Sequence, residues 1–362
     1  MDAAVNRPFS LLLGVALWLG VLACDSRSAG SPTTASAGSG AASASDMDAG
    51  RGVAATGAGP AADGPSGTTD VAVAASADAG ADAGGAAPRR VVVVGDLHAD
   101  IDVTREVFQL AGATDADGTW IGGALTVVQL GDMIGRSDDD RLVLDFIFDV
   151  RERAAAAGGA VRPLIGNHEV MAGRVDNQAV GLAPFAAFEG IDGLDLDDPR
   201  LQILAPEQRA RGAALMAGGP YAKRLAAFPT VLKLGATVFV HGGVVPRWAE
   251  YGIDRVNEEV RQWLQGDTLE PDSSLGVDDG DRVMWTRQFS SLVDAGDCAV
   301  LEQSLAILGA RRMVVAHTVH GEITSYCDEK VWVIDVGMSR AYGGDIQLLE
   351  IVDDAEVSVI TP

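Results

Sequence analysis

The 362-residue chain has few basic side chains: 27 Lys and Arg stand against 51 Asp and Glu, which gives a formal net charge of −24. Binding to nucleic acids or to anionic membrane surfaces requires clustered Lys and Arg, because these residues displace the counterions of the polyanion. The first 87 residues hold three basic and eight acidic side chains, so the remainder still carries about −19. This deficit excludes a nucleic-acid partner.

Large apolar side chains are absent from one long segment. Residues 25–87 contain no Leu, Ile, Phe, Tyr or Trp, and 42 of these 63 residues are Ala, Gly or Ser. Such a composition cannot bury enough apolar surface to offset the entropy that is lost when the chain becomes ordered. The sequence therefore predicts a disordered tether over 25–87 and one large α/β domain over 88–362.

An apolar run precedes this tether. Phe9 to Ala23 follow Arg7 and are almost entirely apolar, which is typical of a secretory signal, since 15 residues are short for a membrane span. The run Val21-Leu22-Ala23-Cys24 resembles a bacterial lipobox. We expect residues 1–24 to be a lipoprotein-type signal peptide, so that the protein is exported to the cell envelope, faces the periplasm or the surface, and is held at a membrane only through lipidated Cys24. An ordinary signal peptide and a poor membrane anchor are the alternatives.

Cysteine is also scarce, with three in the chain. The two besides Cys24 are Cys298 and Cys327, and export would place them outside the cytoplasm, where disulfides persist. The sequence leaves open whether they pair.

Histidine is rare too, but its distribution is informative. Four of the five histidines follow closely on hydrophobic, β-branched runs that predict strands. In α/β sheets the carboxyl ends of strands carry functional sites, because loops there stand on a rigid support. Five runs in series end in residue types that bind metals, so we interpret them as one site rather than as separate turns. These residues are Asp96 with His98, Asp132, Asn167 with His168, His241 and His317.

The residue types in this series point to a particular chemistry. Carboxylate, amide and imidazole ligands without a thiolate favour Mn, Fe or Zn over Ca. They are too many for one ion that keeps an open position, so we expect two divalent ions that share a bridging carboxylate. Two such ions can activate a bridging water and bind phosphoryl oxygens. The pattern therefore predicts hydrolysis of phosphate esters without a covalent enzyme intermediate.

The ordered motifs GDLH, GDMIGR, GNHE, HGG and AHT resemble those of the calcineurin-like metallophosphoesterases. Within that family they are most similar to the phosphoprotein phosphatase branch and its Shewanella-like protein phosphatases, and the resemblance covers essentially all of 88–362. It implies a β-sandwich of two mixed sheets flanked by helices and a phosphatase that acts on phosphorylated Ser, Thr or Tyr. An exported nucleotide or dinucleoside-polyphosphate hydrolase is one alternative, and a tethered non-catalytic binding module is another.

The resemblance also implies a role for each motif residue. His168 matches the general acid that protonates the leaving alkoxide, and Asp132 matches the ligand that bridges the ions. In the family an Asp orients this histidine, but Gly135 occupies the corresponding position here. Asp138 to Asp140, just downstream, are the candidates to replace it. The other implied ligands are Asp96 and His98 for the first ion, and Asn167, His241 and His317 for the second.

Phosphate needs positive charge beyond the metal ions, and the resemblance implies two sources of it. Arg136 matches an arginine of the family's second motif, and Arg287, in the run Met-Trp-Thr-Arg, matches a second phosphate-binding arginine. A guanidinium fits phosphate oxygens through two parallel hydrogen bonds. Two further candidates for contact with the substrate are Arg174, which follows GNHE, and Tyr342, which resembles an active-site tyrosine of the family.

The motifs leave the segment between GNHE and HGG unused. We expect about 171–235 to form an insert, with a helical stretch from Pro206 to Phe228, that caps the site and biases substrate choice. We also expect the chain to be a monomer. Further strands are predicted at Lys330–Val336, Asp345–Ile351 and Glu356–Ile360, and helices at Ile101–Ala111, Asp140–Ala157 and Ala299–Leu308.

Overall fold

The computed structural model describes residues 89–178, 180, 185–271 and 280–362. The expected signal peptide, the lipidated Cys24 and the tether therefore lie outside the described residues. Within the described part of the chain, no helix combines the length and apolarity needed to cross a bilayer.

Strands and helices alternate along the domain, as the sequence predicts. The strands are β1 (Arg90–Val94), β2 (Thr126–Gln129), β3 (Ala160–Pro163), β4 (Val231–Leu234), β5 (Thr237–Val240), β6 (Arg312–Val315), β7 (Thr324–Tyr326), β8 (Val331–Val333), β9 (Leu348–Val352) and β10 (Glu356–Ile360). The α-helices are α1 (Ile101–Leu110), α2 (Asp140–Ala156), α3 (Asn167–Gly173), α4 (Arg209–Leu215), α5 (Pro220–Leu225), α6 (Pro246–Tyr251), α7 (Ile253–Gln265) and α8 (Ala295–Leu308). Short 3-10 helices lie at Phe185–Phe188, Pro199–Ile203 and Pro206–Gln208.

The strands form two mixed sheets of five strands each. The first has the order β10-β9-β1-β2-β3, in which β1, β2 and β3 are parallel and the other two pair antiparallel. The second has the order β4-β5-β6-β8-β7, with β5, β6 and β8 parallel. In each sheet the carboxyl ends of the parallel strands lie at one edge. All the predicted ligands come directly after these strand ends.

The core shows how the two sheets are arranged. Phe239 of β5 and Val314 of β6 belong to the same buried cluster as the strands of the first sheet. Their sequence neighbours Val238 and Met313 face the other way, into a second cluster with α6, α7 and α8. Because side chains alternate along a strand, the sheets pack on each other and these helices cover the outer face. The expected α/β fold of two mixed sheets flanked by helices is confirmed.

The region predicted as an insert differs from expectation in two respects. The helical stretch from Pro206 to Phe228 is interrupted after Leu215, where α4 ends; Gly218 then has a φ of +90°, and α5 begins at Pro220. In addition, Val231–Leu234 is not part of an insert, because it forms β4 and pairs antiparallel with β5. The segment outside the sheets is therefore shorter at its carboxyl end than predicted.

A buried ion pair attaches this segment to the rest of the domain. Arg211 of α4 is 1% exposed, and its Nε donates to Oδ2 of Asp140 at 2.5 Å. The other oxygen of Asp140 accepts from the backbone N–H of Gly135 at 2.7 Å. Since Arg136 follows directly, α4 supports the loop that carries a predicted phosphate-binding residue. That the segment caps the site and biases substrate choice stays a prediction.

The two remaining cysteines pair. Cys298 and Cys327 form a disulfide with a Cα–Cα distance of 5.3 Å, which links the start of α8 to the turn between β7 and β8. The sequence had left this pairing open.

Candidate active site

Three predicted ligands converge with Asp132 on one side of the site. Nε2 of His241 lies 2.8 Å from Oδ1 of Asn167, 3.2 Å from Nδ1 of His317 and 3.4 Å from Oδ1 of Asp132. Nδ1 of His241 faces the backbone oxygen of Leu130 at 2.9 Å, which fixes the ring and leaves Nε2 directed at the other ligands. These residues come from the ends of β2, β3, β5 and β6, as predicted.

A second group of ligand atoms lies on the other side of Asp132. Nε2 of His98 is 3.6 Å from Oδ2 of Asp96 and 4.0 Å from Oδ2 of Asp132, and Nε2 of His168 is 3.7 Å from the same Asp132 oxygen. These separations exceed hydrogen-bond lengths. Two triads with ligand atoms within 4.8 Å of one another, His98-Asp132-His168 and Asp132-His241-His317, therefore share one carboxylate.

The backbone at the ligands adopts a conformation that side chains rarely take. His98, Asp132 and His317 have φ values of 46°, 54° and 65°, in the left-handed region. Such residues persist only where the surrounding structure imposes the conformation, and they cluster at functional sites. The loops that carry Asp132 and GNHE also approach closely, because a Cβ on Gly166 would lie 2.3 Å from Oδ1 of Asp132. A glycine is therefore required at the first position of GNHE.

Glu169 holds this arrangement together, although we assigned it no role from the sequence. It is fully buried, and its carboxylate accepts four backbone N–H bonds of 2.8–3.3 Å, from Asp132, Met133, Ile134 and Gly166. It thereby fixes the loop of the bridging carboxylate against α3. The position of Glu169 within GNHE is the one feature of the sequence that points to a role for it. From the motif alone, a structural role cannot be distinguished from a role as a metal ligand.

The electrostatics of the site favour an ionised Asp132 beside neutral His98, His168 and His317, whereas at His241 the Asp132 carboxylate outweighs burial and raises the pKa. Burial opposes the charge on Asp132, but His241 and His168 beside it hold the pKa of this carboxyl well below its usual value. Burial lowers the pKa of His168 to about 4 and that of His317 to about 2. Burial also lowers the pKa of His98. Neutral imidazoles and ionised carboxylates are the forms that bind metals.

The carboxylate of Asp96 shows whether the residues fit a metal ion. Oδ1 of Asp96 is buried and has no hydrogen-bond partner among the described residues. An unpaired buried carboxylate oxygen is costly unless a cation or a donor satisfies it. The oxygen and nitrogen donors around it, with no thiolate, match divalent cations. The site therefore fits the divalent metal that its ligand set implies.

The structure does not supply an orienting acceptor for His168 at the expected place. Asp139 accepts from Nη2 of Arg340 at 2.6 Å, and Asp140 is bound to Arg211 and to the Gly135 amide. In the part of the chain described by the structure, no side chain accepts a hydrogen bond from the His168 ring. The ring instead packs edge-on against His98, with 4.7 Å between centroids. Two of the three candidates among Asp138 to Asp140 are thus engaged elsewhere.

The predicted arginines lie in different settings. Arg136 is exposed, and its charge contributes to the lowered pKa values of both His98 and His168, which places it beside them. Arg287 is exposed as well, and its Nη1 donates to the backbone oxygen of His317 at 2.6 Å. Arg174, by contrast, is ion-paired with Glu270 and packs on Trp285. Arg136 and Arg287 therefore border the site, and Arg174 is committed to structural contacts.

Two exposed apolar side chains also border the ligands. The ring of Tyr342 lies 5.3 Å from that of His98, and both Tyr342 and Val319 are 45% exposed. A Cβ on Gly337 would lie 2.9 Å from Cγ1 of Val319 and 3.0 Å from Cβ of Tyr342, so the two side chains stand next to each other. We call this pair the apolar rim.

Comparison with known proteins agrees with this geometry. A family model described as calcineurin-like phosphoesterase matches residues 89–321. Shewanella-like protein phosphatase 2 of Arabidopsis thaliana is 36% identical over 304 residues, which cover 76% of this chain and 78% of that protein. Shewanella-like protein phosphatase 1 of Plasmodium berghei is 24% identical over 280 residues, which cover 75% of this chain and 74% of that protein.

A solved structure shares the fold. The cold-active protein-tyrosine phosphatase of a psychrophilic Shewanella species superposes with a TM-score of 0.57 at 22% sequence identity. The alignment covers 75% of this chain and 80% of that one. At this identity the likeness establishes the arrangement of the two sheets and leaves the substrate to other observations.

Proposed function

The chain belongs to the calcineurin-like phosphoesterase family and is a metal-dependent phosphoric ester hydrolase, and we propose that its substrates are phosphorylated proteins. The observation that carries the proposal is the convergence of three ligand atoms on Nε2 of His241 within 3.4 Å, next to a second triad that shares Asp132. The similarity to a protein phosphatase of Arabidopsis supports the choice of substrate.

We assign the metal centre to two ions. Asp96, His98 and Asp132 would hold the first, and Asp132 would be shared with the second, whose other ligands are Asn167, His241 and His317. Mn, Fe or Zn suits this donor set. When bound, such ions supply Lewis-acid chemistry that makes water nucleophilic at neutral pH and stabilises charge on phosphoryl oxygens.

Side chains of the protein would bind the phosphoryl group and supply the proton that the leaving group needs. Water oxygen forms a bond to phosphorus as the ester P–O bond breaks, and the leaving oxygen takes a proton. His168, at the edge of the ligand cluster, would donate that proton; its pKa is about 4 in the protein alone, so the negative charge of the bound phosphate must raise this pKa and protonate the ring before it acts. Arg136 and Arg287 would bind the phosphoryl oxygens, because both are exposed guanidinium groups beside the ligands.

The charge of the domain favours a single phosphoryl group over a polyphosphate. About −19 remains on residues 88–362, so a substrate with several phosphates would be repelled outside the immediate site. This argues against the nucleotide alternative. The complete set of ligands argues against a non-catalytic binding module.

The apolar rim bears on which phosphorylated side chain is preferred. Tyr342 provides an aromatic ring and Val319 a branched aliphatic group. Both can contact the leaving group, which is the side chain that carried the phosphate. Contacts between aromatic rings contribute about 0.5–1.5 kcal/mol beyond area burial. We therefore propose that phosphotyrosine is preferred to phosphoserine.

The purified full-length chain with added Mn²⁺ should release phosphate from a phosphotyrosine peptide and, more slowly, from its phosphoserine counterpart. We expect a ratio of kcat/KM of roughly 2 to 13, the range that aromatic contact energies allow. Diadenosine tetraphosphate should be a poor substrate. The measurement is phosphate release under identical conditions for the three compounds.

Val319→Thr is the matched variant, because it keeps the shape of the side chain and makes it polar. It should lower the phosphotyrosine-to-phosphoserine ratio with little effect on phosphoserine turnover. Faster hydrolysis of diadenosine tetraphosphate than of either peptide would contradict the proposed substrate class. A ratio unchanged by the substitution would contradict only the role of the apolar rim.

We further propose that the protein is exported and lipid-anchored at Cys24. The Cys298–Cys327 disulfide supports export, since disulfides persist in oxidising compartments.

A further inference from the structure

Asp335 is a buried residue within the segment that the sequence predicts as a strand. The predicted strand Lys330–Val336 is shorter in the structure, because β8 ends at Val333. Asp335 therefore follows the carboxyl end of a parallel strand next to β6, whose own end delivers His317. Its position in the fold is equivalent to that of the predicted metal ligands.

The carboxylate of Asp335 is only half satisfied. The residue is 1% exposed, and Oδ1 accepts from the backbone N–H of Gly337 at 3.0 Å. Oδ2 is buried and has no hydrogen-bond partner among the described residues. A buried carboxylate oxygen without a donor is costly, so it must either take up a proton or bind a cation.

Asp335 lies directly beside Asp96. A Cβ on Gly95, the residue before Asp96, would be 3.4 Å from Cα of Asp335, so the two backbones touch. Oδ1 of Asp96 is likewise buried and unpartnered. The two side chains lie close enough to share a hydrogen bond if one of the carboxyl groups is protonated.

Among the described residues no Lys or Arg forms an ion pair with either carboxylate, and His241 is the nearest group that can carry a positive charge. His241 has its Nδ1 3.6 Å from Oδ1 of Asp96, but that nitrogen faces the Leu130 carbonyl at 2.9 Å and can donate only one proton. Two neighbouring buried carboxylates repel each other when both are ionised. A divalent cation between or beside them would remove the repulsion and satisfy both open oxygens.

We propose that Asp335 is a positioning residue of the metal centre, whose carboxylate strengthens divalent-cation binding in the half of the site that contains Asp96. This rests on the proposed metal-dependent function and adds a residue to it. Carboxylates that surround a metal's ligands typically change metal affinity by about 10–100-fold when they are replaced. The negative charge of Asp335 would thus add to that of Asp96 and strengthen the binding of the ion that Asp96 holds.

The test is calorimetric titration of Mn²⁺ into chelator-treated full-length protein, for wild type and Asp335→Asn, with thermal unfolding of both metal-free proteins. We expect Asp335→Asn to lose about 10–100-fold in affinity for one Mn²⁺ equivalent. The metal-free variant should unfold at the same temperature as wild type or higher, because an uncharged amide of the same shape replaces a buried carboxyl group. Asp345→Asn, which removes the same charge from an exposed residue of the following loop, should bind Mn²⁺ like wild type.

The outcomes separate the possibilities. Affinity that falls less than about tenfold would overturn the proposal. A metal-free variant that melts below wild type, together with weaker binding, would show that Asp335 only supports the fold, and would also overturn it. Asp335→Ser, a smaller uncharged replacement, should repeat the affinity loss. Wild-type protein that binds no Mn²⁺ at all would overturn both this inference and the proposed function.

Discussion

Asp132→Asn should lower kcat/KM for every phosphate ester by about three orders of magnitude or more. Asp132 belongs to both ligand triads, so one substitution weakens both halves of the metal centre. Asparagine keeps an oxygen that can accept from the His168 amide, which is bound at 2.9 Å, but removes the negative charge that two cations would share. The loss should appear with p-nitrophenyl phosphate as well as with phosphopeptides, because it does not depend on the leaving group.

The controls for this variant must separate lost chemistry from lost folding. Asp117→Asn removes the same charge from an exposed loop and should leave turnover unchanged. Circular dichroism should show that Asp132→Asn retains the fold, and Mn²⁺ titration should show weakened binding. Retention of activity within tenfold of wild type, with the fold intact, would contradict the assignment of Asp132.

His168→Gln should produce a loss that depends on the leaving group. We expect kcat/KM for a phosphoserine peptide to fall about 10²–10⁴-fold, because the serine alkoxide needs a proton to depart. The p-nitrophenolate anion leaves without one, so hydrolysis of p-nitrophenyl phosphate should fall less than about tenfold. The measurement is the ratio of the two losses in the same protein preparation.

His320→Gln is the matched control, since this histidine lies outside the two triads and its Nε2 faces the backbone oxygen of Ser290 at 2.7 Å. It should leave both substrates unaffected. Equal losses for the peptide and the aryl ester in His168→Gln would contradict a role as general acid and would indicate a metal-binding role instead.

The candidate metal ligands could be located from the sequence because their signal is local. A hydrophobic run such as Val91–Val94 predicts a buried strand, and the polar residues after it must lie at one sheet edge if the strands are parallel. The same rule did not identify Asp335 as a residue at a strand end. Apart from Asp335 itself, Val331 to Val336 are all apolar, so the sequence predicts one continuous strand there. Only the pairing of β8 with β6 shows that the strand ends before Asp335.

Residues whose role depends on distant partners could not be assigned from the sequence. Arg174 looked like a substrate contact from its nearness to GNHE, but its partner Glu270 lies almost a hundred positions further on. Arg211 and Asp140, which form a buried ion pair, are likewise 71 positions apart in the sequence. Long-range ion pairs carry no periodic signal, so fold topology alone reveals them.

Metal dependence of turnover is the decisive measurement for this enzyme. Full-length protein treated with a chelator and freed of it should have no measurable activity towards p-nitrophenyl phosphate. Activity should return as Mn²⁺ is added and reach its plateau near two equivalents per chain, the number that a site with one shared carboxylate accommodates. Phosphate release that persists at the wild-type rate in metal-free protein would show that hydrolysis does not depend on a metal ion.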